Sequence, residues 1–193
     1  MKKLILSTIL AFGLLASTQA QTVSTTPQSS ANVGMAPIKA GNWMVGGSVG
    51  NIGYSFEGKS FGISLSPRAG YFVADGLAVG AQALLGLQTQ DEQENVWNYG
   101  IAPFVRYYFP GGSSASGRFF GQGDVGIEGS NPGDGVSLKL GANVGYAHFV
   151  TNSVALEVMA GYNYSKATVS GVDNSQNGLG VSLGFQIYLP GQK

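Results

Sequence analysis

Six charged residues recur in a chain that is otherwise apolar and rich in glycine: Arg68, Arg106, Asp124, Glu128, Lys139 and Glu157. Guanidinium, ammonium and carboxylate groups can do two kinds of work in an enclosed place. They can pass protons and steady developing charge, or they can neutralise one another where water is scarce. Catalysis of acyl transfer or hydrolysis asks for a nucleophile or an activated water beside a base. The chain has one histidine, His148, and no cysteine. No serine or aspartate stands in a recognisable catalytic motif, so no enzymatic activity is expected. The missing cysteines also exclude disulfides and thiolate metal sites. The glycine run "GGSVGNIG" (Gly46–Gly53) has only a superficial likeness to a phosphate loop, because no Lys-Ser/Thr and no helix follow it. No metal and no cofactor are expected.

The elements that hold these six residues are legible from their spacing. From Gly41 onward the chain alternates with period two, the signature of strands. Eight segments can be counted, with faces that differ in kind. Over residues 136–150, Val136, Leu138, Leu140, Val144, Tyr146 and His148 share one face, while Ser137, Lys139, Gly141, Asn143 and Gly145 share the other. In the next segment Val154, Leu156, Val158, Tyr162 and Tyr164 oppose Glu157, Gly161 and Asn163. The last sets Leu179, Val181, Leu183, Phe185 and Ile187 against Gly180, Ser182, Gly184 and Gln186. Earlier segments behave alike: Arg68 shares its side with Ser66 and Gly70 rather than with Leu65 or Ala69. Arg106 falls with Gly100 and Phe104, and Asp124 and Glu128 with Phe120 and Gln122. All six charges therefore lie on the polar face. His148 lies on the apolar parity beside a turn, the place of an interfacial residue.

Connections alternate in length. "ADG" (Ala74–Gly76) and "TNS" (Thr151–Ser153) are tight, and "PGGSSASG" (Pro110–Gly117) is somewhat longer. Between them fall polar loops near 54–60, 88–95, 129–135 and 165–178. "YFVADGLAVG" (Tyr71–Gly80) and "HFVTNSVALE" (His148–Glu157) repeat one hairpin design. Turns at one end and loops at the other suit a meander that crosses a bilayer. Asp91, Glu92, Glu94, Asp134 and Asp173 make the loop end mildly acidic, as solvated tips.

Composition decides which face meets lipid. A soluble domain carries roughly 25% charged residues; this chain of 193 residues carries 10%, with 31 glycines. A soluble barrel would have its apolar face inward and a surface rich in Lys and Glu. Here the polar face is mostly Gly, Ser, Ala, Asn and Gln, with three positive and three negative charges that balance. Pairing is expected among them: Lys139 and Glu157 are on neighbouring strands, and Arg106 neighbours the strand of Asp124 and Glu128. Arg68 is expected to look across the lumen to Asp124, Glu128 or Glu157. Aromatic residues such as Trp43, Tyr71, Trp97, Tyr99, Tyr107, Phe109, Tyr146 and Tyr162 gather toward the ends of the apolar face, like the two girdles of a membrane barrel. The predicted fold class is all-β: an eight-stranded antiparallel up-and-down transmembrane β-barrel over residues 41–190. Eight strands leave an interior just wide enough for side chains to fill, so a packed polar lumen is expected rather than an open ion path.

The remaining segments read as export and leader. Residues 1–20, "MKKLILSTILAFGLLASTQA", carry two lysines, an apolar run and small residues before Gln21, the pattern of a secretory signal peptide. No later apolar run is long enough for a membrane helix. Residues 21–40, rich in Ser, Thr, Ala and Pro, show no periodicity and are expected to be a flexible leader. Removing Lys2 and Lys3 leaves eight basic residues against ten acidic. That balance gives no nucleic-acid footprint.

"SPRAGYFVADGLAVG", "GIAPFVRYYFP" with "GRFFGQGDVG", "GANVGYAHFVTNSVALEV" and "LGFQIYLP" occur in that order. Together they resemble the small porin-like outer membrane protein β-barrel domain family of Gram-negative bacteria, over Gly41 to Pro190. The resemblance implies a monomeric barrel in the cell outer membrane with no cofactor and usually no assigned activity. Its implied partners are outer-membrane lipid, lipopolysaccharide and the barrel-insertion machinery. Such chains commonly end on an aromatic residue; here Tyr188 is followed by "LPGQK". Two functional readings follow: a non-enzymatic structural or surface-contact protein, or a narrow channel for ions or small solutes.

Overall fold

In a computed structural model of the protein the described residues are 33–55, 60–90, 94–110, 116–131, 136–167 and 175–191. They form eight strands: β1 (Trp43–Ser55), β2 (Ser60–Ala74), β3 (Leu77–Gln90), β4 (Val96–Tyr108), β5 (Gly117–Asn131), β6 (Val136–Phe149), β7 (Val154–Ala167) and β8 (Ser175–Leu189). Each strand is antiparallel to the next, and β1 pairs with β8 from Trp43↔Leu189 to Gly50↔Ser182, closing a barrel in sequence order. The eight-stranded antiparallel up-and-down barrel predicted by the alternation is the one found. Closure matters because an open sheet edge in hydrocarbon would leave backbone N–H and C=O groups unpaired.

The parities fall as the residue types demand. Val144 is 65% exposed and Leu183 64%, on an outer face shared by Leu65, Leu85, Ile101, Val125, Ile127 and Val158. The inward face holds Arg68, Gln82, Arg106, Gln122, Glu157 and Gln186, all buried. An apolar exterior around a polar interior is the reverse of a soluble barrel and fits a lipid surround. Among the described residues no helix is long and apolar enough to cross a membrane. The strands, of 13 to 15 residues, exceed the ~9–11 that a tilted strand needs to cross. His148 is half-buried on the outer parity and stacks on Tyr146, ring centroids 6.4 Å apart.

Two prolines sit within strands, where a missing N–H breaks a ladder. Both lie on the outer parity and break it on one side only. Pro67 pairs with Gly47 on β1, while the β2–β3 ladder passes from Leu65↔Leu85 to Arg68↔Gln82. Pro103 pairs with Ala81 on β3, while the β4–β5 ladder passes from Ile101↔Ile127 to Phe104↔Asp124. The tight turn at Asp75-Gly76 uses the one backbone position that only glycine adopts freely there, φ +76°.

The expected flexible leader, 21–40, is partly described, and that part is folded. Residues 36–38 form a single 3₁₀ turn, and Val33 and Ile38 are buried, the latter 1% exposed. Ile38 O accepts from Gly76 N at 2.7 Å, and Ala40 N donates to Asp75 Oδ1 at 2.8 Å. Asn42 Nδ2 donates to Ala36 O at 2.8 Å. Two apolar side chains and a set of backbone bonds fix a segment too short to show periodicity. The signal-peptide stretch 1–20 and residues 21–32 lie outside the described residues. So do four of the five acidic loop residues; Glu94 is described and exposed.

Candidate functional site: the barrel lumen

The lumen is built in three layers, because the alternation delivers a different residue type to each height. At the turn end the inward positions are large and apolar. Met44, Phe72, Phe120 and Phe149 are fully buried, joined by the rings of Tyr108 and Tyr188 and from below by Val33 and Ile38. The rings touch in series: Phe72–Tyr108 5.9 Å, Tyr108–Phe120 5.5 Å and Phe149–Tyr188 5.1 Å between centroids. Arg118, 4% exposed, donates Nη1 to Gly117 O at 2.6 Å and Nη2 to Gly34 O, tying the N-terminal segment to β5.

Above it lies a polar layer centred on Arg106, which is fully buried. Its Nη1 reaches both carboxylate oxygens of Glu157, at 2.8 and 3.0 Å, and the Tyr108 hydroxyl at 3.1 Å. Nε and Nη2 both donate to Gln122 Oε1, at 3.0 and 2.8 Å. The Tyr108 and Tyr188 hydroxyls lie 2.8 Å apart, and Tyr188 donates to Glu157 Oε1 at 3.4 Å. The guanidinium also stacks on the Phe120 ring, 4.1 Å to its centroid. A buried ion pair repays its desolvation only when its remaining donors and acceptors are satisfied. Arg106 meets that condition, and Glu157 takes a third hydrogen bond from Tyr188.

Toward the loops the lumen opens into a cavity of about 370 Å³ whose lining includes Ser48, Arg68, Gln82, Asp124, Lys139 and Asn143. Arg68 Nη2 donates to Ser48 Oγ at 2.7 Å and Nη1 to Gln122 Oε1 at 3.4 Å. Asp124 accepts from Asn143 Nδ2 at 3.3 Å and Gln122 Nε2 at 3.5 Å. Lys139 and Glu128 form an ion pair at 3.1 Å, each side chain about a quarter exposed.

The six charged residues therefore all line the lumen, but their partners differ from expectation. Lys139 pairs with Glu128, not Glu157. In the β6–β7 ladder Lys139 stands opposite Ser165 and Glu157 opposite Ala147. Those levels are eight residues apart along β6, about 27 Å at ~3.4 Å per residue. Arg106 pairs with Glu157 across the lumen, because its in-register neighbour on β5 is Gln122 rather than a carboxylate. Arg68 finds Ser48 and Gln122 instead of Asp124, Glu128 or Glu157. Sequence reasoning also missed Arg118 as an inward charge, so the lumen holds four cationic side chains against three carboxylates among the described residues. Its signal was its parity, shared with Phe120 and Gln122. No group of three or more His, Asp or Glu suited to a metal occurs among the described residues.

No family model matches the chain, and no curated protein matches it. Solved structures do. Neisserial surface protein A is 20% identical, the match covering 77% of this chain and 97% of that one at a TM-score of 0.57. The outer membrane protein OprG from Pseudomonas aeruginosa is 14% identical over 79% of this chain and 97% of that one, TM-score 0.49. The outer membrane enzyme PagL is 14% identical over 75% of this chain and 98% of that one, TM-score 0.40. With eight antiparallel strands closed in order, an apolar exterior and a polar lumen, the chain has the porin-like fold of the small outer-membrane β-barrels.

Proposed function

We propose that this is an integral protein of the cell outer membrane, exported by residues 1–20, whose barrel is closed to conduction and carries out no enzymatic step. Its role in this reading is structural or one of surface contact. The observation that carries the reading is the seal at the turn end. Six large side chains and the Val33–Ile38 segment fill the lumen there, directly below the Arg106–Glu157 pair. A solute entering from the loops would meet an apolar layer with no polar lining to replace its hydration, a barrier of the kind that closes hydrophobic constrictions. The apolar exterior supports the membrane assignment.

Two measurements test this. The mature chain, residues 21–193, refolded into planar bilayers, is expected to show no steady unitary currents. Reproducible channels of one size would replace the closed reading with the narrow-channel one. Cell fractionation is expected to recover the chain with the outer membrane, running with heat-modifiable mobility on unboiled gels. Recovery in the soluble periplasm would remove the membrane assignment.

A further inference from the structure

The cavity at the loop end has in its floor a cation, Arg68, for which no ion pair is found among the described residues. Arg68 is 4% exposed and lies against that cavity. A guanidinium offers five N–H donors. One strong bond goes to Ser48 Oγ at 2.7 Å. The other is long, 3.4 Å to Gln122 Oε1, an oxygen that already accepts twice from Arg106. Nε has no partner among the described residues. The nearby carboxylates are engaged elsewhere: Glu157 by Arg106, Glu128 by Lys139, and Asp124 by the amides of Asn143 and Gln122. A charge this deeply buried is normally paired. Here the guanidinium borders an open space of about 370 Å³, near the lower end of the ~300–1,000 Å³ range of small-molecule sites, while Nε itself is shut away from that space.

The rest of the lining says what else the occupant carries. Ser66, Gln82, Asn143, Asn163 and Ser182 border the same space. Hydroxyls and side-chain amides both donate and accept, which suits a ligand with several hydroxyl groups. Asp124 borders it too, so a second negative charge on the ligand would be repelled. We infer that the loop-end cavity is a binding site for a soluble, polyhydroxylated monocarboxylate of sugar-acid size, its carboxylate held by Arg68 and its hydroxyls by the serine and amide wall. The inference goes beyond the closed-barrel reading, and binding in the cavity does not require that reading to hold.

D-gluconate is the probe, with D-sorbitol as its uncharged counterpart and acetate as the carboxylate without hydroxyls. Each is titrated into the refolded mature chain in micelles, with binding read by calorimetry and by arginine Nε–H resonances. Gluconate is expected to bind, and to move the Arg68 Nε–H signal. Sorbitol and acetate are each expected to bind about tenfold or more weaker, since each loses one class of hydrogen bond and the charged one is the stronger. Arg68→Met is expected to bring gluconate down to the level of sorbitol, and Arg68→Lys to fall between. Sorbitol binding as well as gluconate, or Arg68→Met leaving gluconate unchanged, overturns the site. Acetate binding as well as gluconate overturns its hydroxyl half. The comparison of three ligands on the unaltered chain decides the matter even where the Met variant does not refold. No current is measured, so a failure here is separate from a failure of the closed barrel.

Discussion

At the scale of single residues, Arg106 and Glu157 make the clearest prediction. Glu157→Gln keeps the shape of the side chain but leaves the Arg106 guanidinium, fully buried over Phe120, without a counter-charge. Breaking one side of a buried pair costs ~3–5 kcal/mol. Urea unfolding of the refolded barrel is expected to show a loss of that size. The double variant Arg106→Met with Glu157→Met is expected to lose much less than the sum of the two singles, because no charge is then stranded. Equal and additive losses would mean that the pair is not coupled. The sequence made half of this legible. Period two put both residues on the polar face, since that needs only the count of residues along each strand. It could not pair them, because the partner across a barrel depends on the stagger of strands that are not neighbours. Lys139 illustrates the same limit: adjacency to the strand of Glu157 was correct, and the difference in height along β6 made it irrelevant.

At the scale of the element, glycine positions and the N-terminal segment carry the argument. Gly145 faces Phe120 across the β5–β6 ladder, and a Cβ there would lie 2.4 Å from Phe120 Cζ and 2.7 Å from Val158 O. Gly123, three ladder steps away on the outer side, has only Gly141 O at 4.0 Å. Gly145→Ala is therefore expected to cost ~1–3 kcal/mol, as overpacking does, because Phe120 must leave its place beneath Arg106. Gly123→Ala is expected to change stability by no more than about 0.5 kcal/mol. Unfolding midpoints of the two variants, measured side by side, check the contrast. The segment at 33–40 was the part of the fold least open to sequence reasoning. One 3₁₀ turn offers no repeat to count, and "MAPI" before the first strand is a weak apolar signal. Its contribution is nonetheless specific. Ile38→Ala is expected to destabilise the barrel by ~2–5 kcal/mol, the range for a buried Ile truncated to Ala. Ile38→Asp puts a carboxylate among the rings of the seal. It is expected to admit water there and raise ion leak through planar bilayers above that of the unaltered chain. Leak that is unchanged in a folded Ile38→Asp barrel would place the barrier higher, at the Arg106 layer.

At the scale of the whole molecule, the question is which solvent the exterior has been built for. Alternation alone permits two answers: an exported soluble barrel around an apolar ligand, or a membrane barrel around a polar lumen. The distribution of exposed residues separates them. Trp43, Tyr71, Tyr107, Phe109 and Phe119 are exposed near the turn end, Trp97 and Tyr99 near the loop end, and aliphatic residues fill the band between. A soluble protein exposing so continuous an apolar surface would aggregate, whereas lipid accepts it without cost. The consequence is a depth-dependent penalty that a water-facing surface would not show. Leu183 lies near the middle of β8 and is 64% exposed, and Leu189 ends the strand at 46%. Leu183→Arg is expected to destabilise the barrel by ~2–4 kcal/mol in a bilayer, and Leu189→Arg by about 0–1, because the cost of a cation falls from the midplane to the interface. Unfolding in lipid vesicles measures both. A barrel whose exterior faces water would tolerate Arg at 183 as well as at 189, so equal and small effects would send the chain back to the soluble class. A large loss at 183 beside a small one at 189 would fix the height of the bilayer on β8.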